Sequence, residues 1–161
     1  MGAVFNTAGR NELESSIMLS KPPSNHPSIS PARRGLALTL LTRARNPIKV
    51  ARSIYLSPSL DPHAMLSGST AEQMGSRLGQ ELVEPSYFFT EARWREHRRG
   101  LGLPELPYPP GTAENPFEEY GPLDLMPKGT VGAVALDERG CIASATSTGG
   151  KTNKLPGRIG T

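Results

Sequence analysis

Hydrophobic and polar residues alternate with a period of two near the start of the chain, and this alternation predicts a β-strand. One side of segment 12–19 carries Leu13, Ser15, Ile17 and Leu19. Gly2 to Phe5 is a shorter apolar run and predicts a second strand, with the turn-forming residues 6–10 between the two. Gly35 to Thr42 is a continuous apolar run of strand length, which favours a buried strand over a helix.

Capping residues and apolar spacing predict three helices. Asn46 suits an N-cap and Pro47 the first helical turn, and Pro58 marks the end of this helix. A second helix is predicted from Ser69 to Leu78, with Ser69 or Thr70 as cap and Glu72 near its first turn. The third starts at Ser86 or Thr90 and runs to Arg99. Residues 63–66 suit a short strand.

The last third of the chain predicts a β-hairpin, because segments 130–137 and 141–148 are rich in small and β-branched residues. Between them, Asp137 suits the first position of a type I turn and Gly140 the left-handed residue that closes a three-residue loop. If Asp137 pairs with Cys141, Thr130 lies directly opposite Thr148, with the two β-carbons about 4.5–5.5 Å apart on one face. A four-residue loop would send the two threonines to opposite faces.

Composition limits how much of the chain packs into a core. Apolar residues make up 36% of the 161 residues, and there are 17 Gly and 16 Pro. Segment 21–34 holds four prolines and is predicted to be an irregular insert. Segment 101–129 is rich in proline and acidic residues, which predicts a flexible linker.

Charge and cysteine content exclude several classes of function. A net charge of +3 is too small and too dispersed to predict a nucleic-acid partner. No apolar run approaches 18 residues, so no membrane span is predicted, and a cytoplasmic location is expected. Cys141 is the single cysteine and suits a small buried residue. The three histidines lack metal-ligand spacing, so no metal site is predicted and no role is assigned to them.

Several motifs in the last third resemble the plant-type asparaginase / isoaspartyl peptidase family of N-terminal-nucleophile hydrolases. They are Gly129-Thr130-Val131-Gly132-Ala133-Val134-Ala135-Leu136-Asp137, Thr146-Ser147-Thr148-Gly149-Gly150, Asn153-Lys154 and Gly157-Arg158-Ile159-Gly160. Weaker likeness extends over residues 2–20 and 46–52. The resemblance implies an α+β fold, part of an αββα four-layer sandwich.

The resemblance also implies a mechanism. The precursor cleaves itself between Gly129 and Thr130, and Thr130 becomes the nucleophile with its own α-amine as base. Thr148 would orient the nucleophilic oxygen. Arg158 would bind a substrate carboxylate, and Gly149 and Gly150 would let the backbone approach the ligand. The expected substrates are small molecules, L-asparagine or a β-aspartyl dipeptide, with no cofactor.

The chain departs from the family pattern at its end, where Thr161 stands in place of an aspartate that holds the substrate amino group. We therefore expect a chain that is truncated at both ends and incomplete as an enzyme. The expected organisation is part of the α-subunit over 1–100, the linker over 101–129, and the start of the β-subunit over 130–161. Cleaved subunits of such enzymes pair into larger oligomers. The alternatives are a non-catalytic, partly disordered interaction protein, and a relative of glycosylasparaginase or threonine aspartase.

Overall fold

A computed structural model describes residues 2–104 and 129–160. Within these ranges, five strands form one mixed sheet in the order β3-β2-β1-β5-β4. The strands are β1 (Leu13–Leu19), β2 (Gly35–Leu41), β3 (Met65–Ser67), β4 (Val131–Leu136) and β5 (Ile142–Thr148). The helices are α1 (Pro47–Tyr55), α2 (Gly68–Arg77) and α3 (Glu91–Gly100), with a 3₁₀ turn at Pro85–Phe88.

The sheet joins the two described parts of the chain. β1 pairs antiparallel with β2 on one side and with β5 on the other, and β4 completes the hairpin at the edge. β2 and β3 are parallel. The parts of the chain before and after segment 105–128 therefore both contribute strands to one sheet. The linker predicted over 101–129 lies mostly outside the described residues.

The hydrophobic core lies between the sheet and the helices α1 and α2. Leu38 of β2 and Val50 and Ile54 of α1 are at most 1% exposed. Gly75 of α2 lies so close to α1 that an added β-carbon would come within 2.7 Å of Val50. The α+β class is confirmed, and one sheet with helices packed on it is a part of the predicted αββα sandwich.

Most of the predicted elements are confirmed. β1 and β2 lie where the hydrophobic pattern predicted them, and segment 21–34 forms neither helix nor strand. Helix α1 begins after Asn46, whose side chain accepts a hydrogen bond from the Lys49 N–H. Helix α3 follows Thr90 and buries Trp94. In each case a local signal agrees with the tertiary packing: alternation, an apolar run, a group of prolines or a capping residue.

The predicted strand at Gly2–Phe5 is wrong. The Ala3 N–H donates to the carbonyl of Phe88. The Asn11 amide donates to the carbonyls of Ala3 and Val4, each at 3.0 Å. These backbone groups are thus satisfied by a side chain and a 3₁₀ turn, so no neighbouring strand is needed.

The strand predicted at 63–66 begins two residues later, at Met65. The Arg33 guanidinium donates hydrogen bonds to the carbonyls of Asp61 and His63, so the residues before Met65 bond to a side chain. Helix α2 also starts earlier than predicted. Ser67 occupies its cap position without a side-chain cap bond, and Gly68 has a φ of +55°, which allows the sharp change from strand to helix.

Glu72, which the sequence placed near the first turn of α2, lies in the second turn because the helix starts at Gly68. Its side chain is buried, and Oε1 accepts hydrogen bonds from the backbone N–H groups of Thr42 and Arg43, each at 2.6 Å, and of Ala44. A buried carboxylate that receives three N–H donors is well compensated. Glu72 therefore ties α2 to the end of β2.

Candidate active site

The hairpin has the predicted three-residue loop and register. Asp137 N–H donates to the Cys141 carbonyl at 3.0 Å, and Gly140 N–H donates to the Asp137 carbonyl. Gly140 has a φ of +72°, the left-handed conformation expected of the closing glycine. The strand pairs run from Leu136↔Ile142 to Val131↔Ser147 without a shift. The loop chemistry therefore determines which residues face each other at the open end of the hairpin.

Thr130 directly precedes β4, and one further step of the same register brings it opposite Thr148, the last residue of β5. Antiparallel pairs alternate between hydrogen-bonded and non-hydrogen-bonded types. Counting from the Asp137–Cys141 pair makes Thr130–Thr148 a non-hydrogen-bonded pair, the type whose side chains lie closer together. The register thus brings the two threonines to one face of the sheet.

Thr148 is 7% exposed, whereas Thr130 is exposed. Thr148 Oγ1 accepts a hydrogen bond from the Gly150 N–H at 2.9 Å. A hydroxyl group has one proton to donate and two lone pairs. Because Gly150 occupies a lone pair, the Thr148 proton is left to donate toward another acceptor, such as the oxygen of Thr130 across the strand pair.

The glycines around the two threonines occupy positions that restrict other residues. Gly129 has a φ of +124° and Gly150 a φ of +79°, which L-residues with a side chain rarely adopt. A β-carbon on Gly149 would lie 3.3 Å from both the Ala3 β-carbon and the Val4 nitrogen. The Gly149–Gly150 segment therefore lies tightly against the N-terminal part of the chain.

Arg158 is exposed, in the segment that follows β5. Its backbone N–H donates to the Leu155 carbonyl, and its guanidinium lies so close to Gly160 that a β-carbon there would meet Cζ at 2.6 Å. An exposed guanidinium on this segment is available to an anionic ligand. Thr161, the residue that departs from the family pattern, lies outside the described residues.

Two groups of residues at this end of the sheet did not stand out in the sequence. Glu14 and Lys154 form a buried ion pair beside Thr148. His97 is also buried, although no role was assigned to it, and its Nδ1 lies 2.5 Å from Asn153 Oδ1. The partners lie 140 and 56 residues apart in the chain, so no local spacing indicated them.

Over residues 2–104 and 129–160, no three His, Cys, Asp or Glu side chains come together as possible metal ligands. In the same ranges, no helix is long and apolar enough to cross a membrane.

The pKa of Asp137 is lowered, chiefly because its carboxylate accepts the Cys141 N–H and also because it pairs with Arg139. Asp137 therefore stabilises the hairpin loop in its ionised form.

A family model and several known proteins match the sequence of this chain. The family model described as asparaginase matches residues 1–161. The isoaspartyl peptidase of Escherichia coli (strain K12) is 36% identical over 163 residues, which cover 99% of this chain and 44% of the relative. The isoaspartyl peptidase/L-asparaginase of Mus musculus is 35% identical over 159 residues, 99% of this chain and 41% of the relative.

A probable isoaspartyl peptidase/L-asparaginase 2 of Arabidopsis thaliana is 32% identical over 171 residues, with 99% of this chain and 48% of the relative covered. The chain spans less than half the length of these relatives. The alternative of a non-catalytic interaction protein is not favoured by these matches. Because the family model covers the chain from 1 to 161, this protein belongs to the asparaginase family.

Proposed function

We propose that the chain cleaves itself between Gly129 and Thr130, and that Thr130 then acts as the nucleophile of an amidohydrolase. The observation that carries this proposal is the hairpin register, which runs without a shift to Val131↔Ser147. Extended by one residue, this register pairs Thr130 with Thr148 on one face of the sheet. The proposed substrates are L-asparagine, hydrolysed at its side-chain amide, and β-aspartyl dipeptides. The names of the relatives, isoaspartyl peptidase and L-asparaginase, support this substrate class.

Self-cleavage begins when the Thr130 hydroxyl oxygen attacks the carbonyl carbon of Gly129. A C–O bond forms, the C–N bond breaks, and the hydroxyl proton passes to the leaving nitrogen. Water then hydrolyses the ester, which releases a carboxylate on Gly129 and restores the Thr130 hydroxyl. The φ of +124° at Gly129 supports this step, since a glycine tolerates the backbone geometry that such an attack requires.

The cleavage supplies the base for turnover. A free α-amine on Thr130 has a reference pKa of about 7.7–8.0, so a useful fraction is neutral near pH 7.5 and can take the hydroxyl proton. The nucleophile then forms a β-aspartyl ester and releases ammonia or the rest of the dipeptide, and water hydrolyses the ester. Activity is expected to rise with pH up to about 8 as the amine loses its proton.

Thr148 and Arg158 have supporting roles in this proposal. The Thr148 proton, left free by the Gly150 N–H bond, donates to the Thr130 oxygen and orients it. The Arg158 guanidinium binds the α-carboxylate of the substrate through paired N–H donors. The glycines 149 and 150 leave room for the substrate beside the backbone.

The test is intact-mass spectrometry of the purified full chain over time at pH 7.5. We expect a fragment that begins at Thr130, none from T130A, and cleavage at least about tenfold slower in T148V, since one hydrogen bond of about 1.4 kcal/mol is lost. T146V is the matched control, because Thr146 lies on the same face of β5 but opposite Gly132. Its cleavage rate is expected to match that of the parent.

A parent chain that is folded by circular dichroism and stays uncut would overturn the self-cleavage proposal. Where the chain is cut, ammonia release from L-asparagine and aspartate release from a β-aspartyl dipeptide test turnover separately. A cleaved chain that releases neither would retain the first step and refute the second. R158K, which keeps the charge but loses the planar fork, is expected to raise KM more than it lowers kcat.

A further inference from the structure

The Glu14–Lys154 pair lies almost entirely out of solvent. The Glu14 side chain is 2% exposed and that of Lys154 is 1%, and Oε1 lies 3.5 Å from Nζ. Removing two charges from water costs several kcal/mol each, and a pair of apolar residues is often as stable or more so. Stability alone therefore gives little reason for an ion pair at this place, and its surroundings indicate another role.

Glu14 is the direct cross-strand partner of Thr148 in the β1–β5 pairing. Direct partners point to the same face of an antiparallel sheet. Two residues further along, the hydroxyls of Ser16 and Thr146 are 2.7 Å apart, which confirms the face. The β4–β5 register, extended by one residue beyond Val131↔Ser147, places Thr130 opposite Thr148. By that extension, Glu14, Thr148 and Thr130 lie in one row.

The pair also fixes the segment that follows β5. Lys154 Nζ donates to the Glu12 carbonyl at 2.8 Å. The same Nζ lies so close to Gly150 that a β-carbon there would be 2.8 Å from it. Glu14 Oε2 accepts the Gly160 N–H at 3.0 Å. The pair thus ties Gly160 to β1 and packs against Gly150, and Arg158 lies between these two glycines.

We propose that Lys154 and Glu14 are positioning residues for the proposed hydrolase site, an inference that rests on the proposed function. Lys154 compensates the Glu14 carboxylate, so the Thr148 proton stays directed at Thr130. Without the ammonium, Glu14 is a bare carboxylate on the direct cross-strand partner of Thr148, with the two β-carbons about 5 Å apart, and it competes for the same proton. The Gly150 N–H that orients Thr148 loses its support in the same step.

The test compares K154M, E14Q and the double variant E14Q/K154M in the full chain. Self-cleavage by K154M is expected to be at least about tenfold slower than that of the parent, which corresponds to a barrier about 1.4 kcal/mol higher. The double variant removes the competing carboxylate. The logarithm of its cleavage rate is expected to lie at least about halfway from that of K154M back to that of the parent. A purely structural role predicts the opposite order, with the double variant slower than K154M.

A second measurement does not depend on cleavage. In the T130A background, amide hydrogen exchange at Gly150 and Gly160 is expected to be at least about tenfold faster in K154M, with exchange at Leu38 unchanged. Unchanged exchange at Gly150 and Gly160 overturns the proposal even where the parent chain never cuts itself. A parent that cleaves, with K154M cleaving at the same rate, overturns the positioning role and leaves the proposed function intact.

K154M carries a buried uncompensated carboxylate and is the variant most prone to unfold. In that case E14Q and the double variant decide, because neither carries a buried carboxylate at position 14. Both are expected to be folded by circular dichroism, because the Lys154 ammonium in E14Q keeps its hydrogen bond to the Glu12 carbonyl and the double variant carries neither charge. The double variant is expected to cleave faster than E14Q, in which the buried ammonium has lost its partner, and a double variant slower than E14Q overturns the proposal.

Discussion

Asn153 and His97 hold the segment after β5 against helix α3 through two hydrogen bonds. Asn153 Nδ2 donates to the His97 carbonyl at 3.1 Å, which leaves Oδ1 as the acceptor for the His97 ring. His97 Nδ1 therefore carries the donated proton. His97 also lies 5.1 Å from Trp94, ring centre to ring centre, and the site segment is thus anchored in the aromatic cluster around Phe5.

Replacing Asn153 by alanine is expected to destabilise the fold by about 2–3 kcal/mol. Two hydrogen bonds of about 1 kcal/mol each are lost. Asn153 also has a φ of +58°, a conformation that asparagine tolerates better than alanine does. Urea unfolding followed by the fluorescence of the single tryptophan, Trp94, measures the loss directly.

N153G is the matched control for the backbone. It loses the same two side-chain bonds, but glycine adopts a positive φ without strain. We expect N153G to be more stable than N153A by about 0.5–1 kcal/mol. Equal stabilities would mean that the left-handed backbone at 153 contributes nothing, and a parent-like N153A would contradict the anchoring role of the side chain.

Gly150 and Gly140 form a second matched pair. Both have a positive φ, +79° and +72°, so alanine is strained at each by about 1–2 kcal/mol. A β-carbon on Gly150 would also come within 2.8 Å of Lys154 Nζ, whereas at Gly140 it would meet nothing within 4 Å. G150A is therefore expected to lose about 1–2 kcal/mol more than G140A in urea unfolding.

Equal losses in G150A and G140A would show that the Lys154 ammonium moves aside freely. That result would contradict the tight packing of the Glu14–Lys154 pair against Gly150. If the extra loss caused by G150A disappears in a K154A background, measured as G150A/K154A against K154A, the conflict lies at the lysine side chain, since that background lacks the atoms that the new β-carbon meets.

The sequence sufficed to predict the hairpin and the start of helix α1, because each depends on neighbouring residues. Asp137 and Gly140 fix the loop, and the loop fixes the register of every later pair. Asn46 and Pro47 likewise mark the beginning of a helix on their own. These local signals are enough to predict one face for Thr130 and Thr148, because they need no contact distant in sequence.

The buried Glu14–Lys154 pair could not be predicted in the same way. Glu14 occupies the polar side of an alternating strand, a pattern typical of solvent exposure. Its side chain is nevertheless buried, because Lys154 and Gly160 of the segment after β5 contact it. Gly2–Phe5 shows the converse, since an apolar run without a strand partner took its hydrogen bonds from Asn11. Both outcomes depend on contacts distant in sequence.

The Thr130–Thr148 pair can be checked by a designed disulfide. In a C141A background, T130C/T148C is expected to form a disulfide in a glutathione redox buffer, because a directly opposed pair falls within the Cα distance of about 4.4–6.8 Å that a disulfide spans. T130C/S147C is the control, since Thr130 and Ser147 lie on opposite faces. Free-thiol titration and intact mass distinguish the two. Oxidation of the control pair alone would show a register slipped by one residue.

Asp137 makes the stability of the hairpin depend on pH. Its pKa in the folded chain lies below its ordinary value, because the carboxylate accepts the N–H groups of Cys141 and Arg139 and pairs with the Arg139 guanidinium. The ionised form therefore stabilises the fold fully above about pH 4. This contribution is lost as the pH falls through the lowered pKa of Asp137 in the folded chain. The urea midpoint of D137N is expected to lie below that of the parent at pH 7, with a difference that narrows below pH 4.

D137A, which also loses the acceptor of both N–H groups, is expected to be less stable than D137N at every pH. A parent–D137N difference that stays constant down to about pH 2, below the ordinary range of an aspartate, would refute the role of the ionised carboxylate in closing the loop.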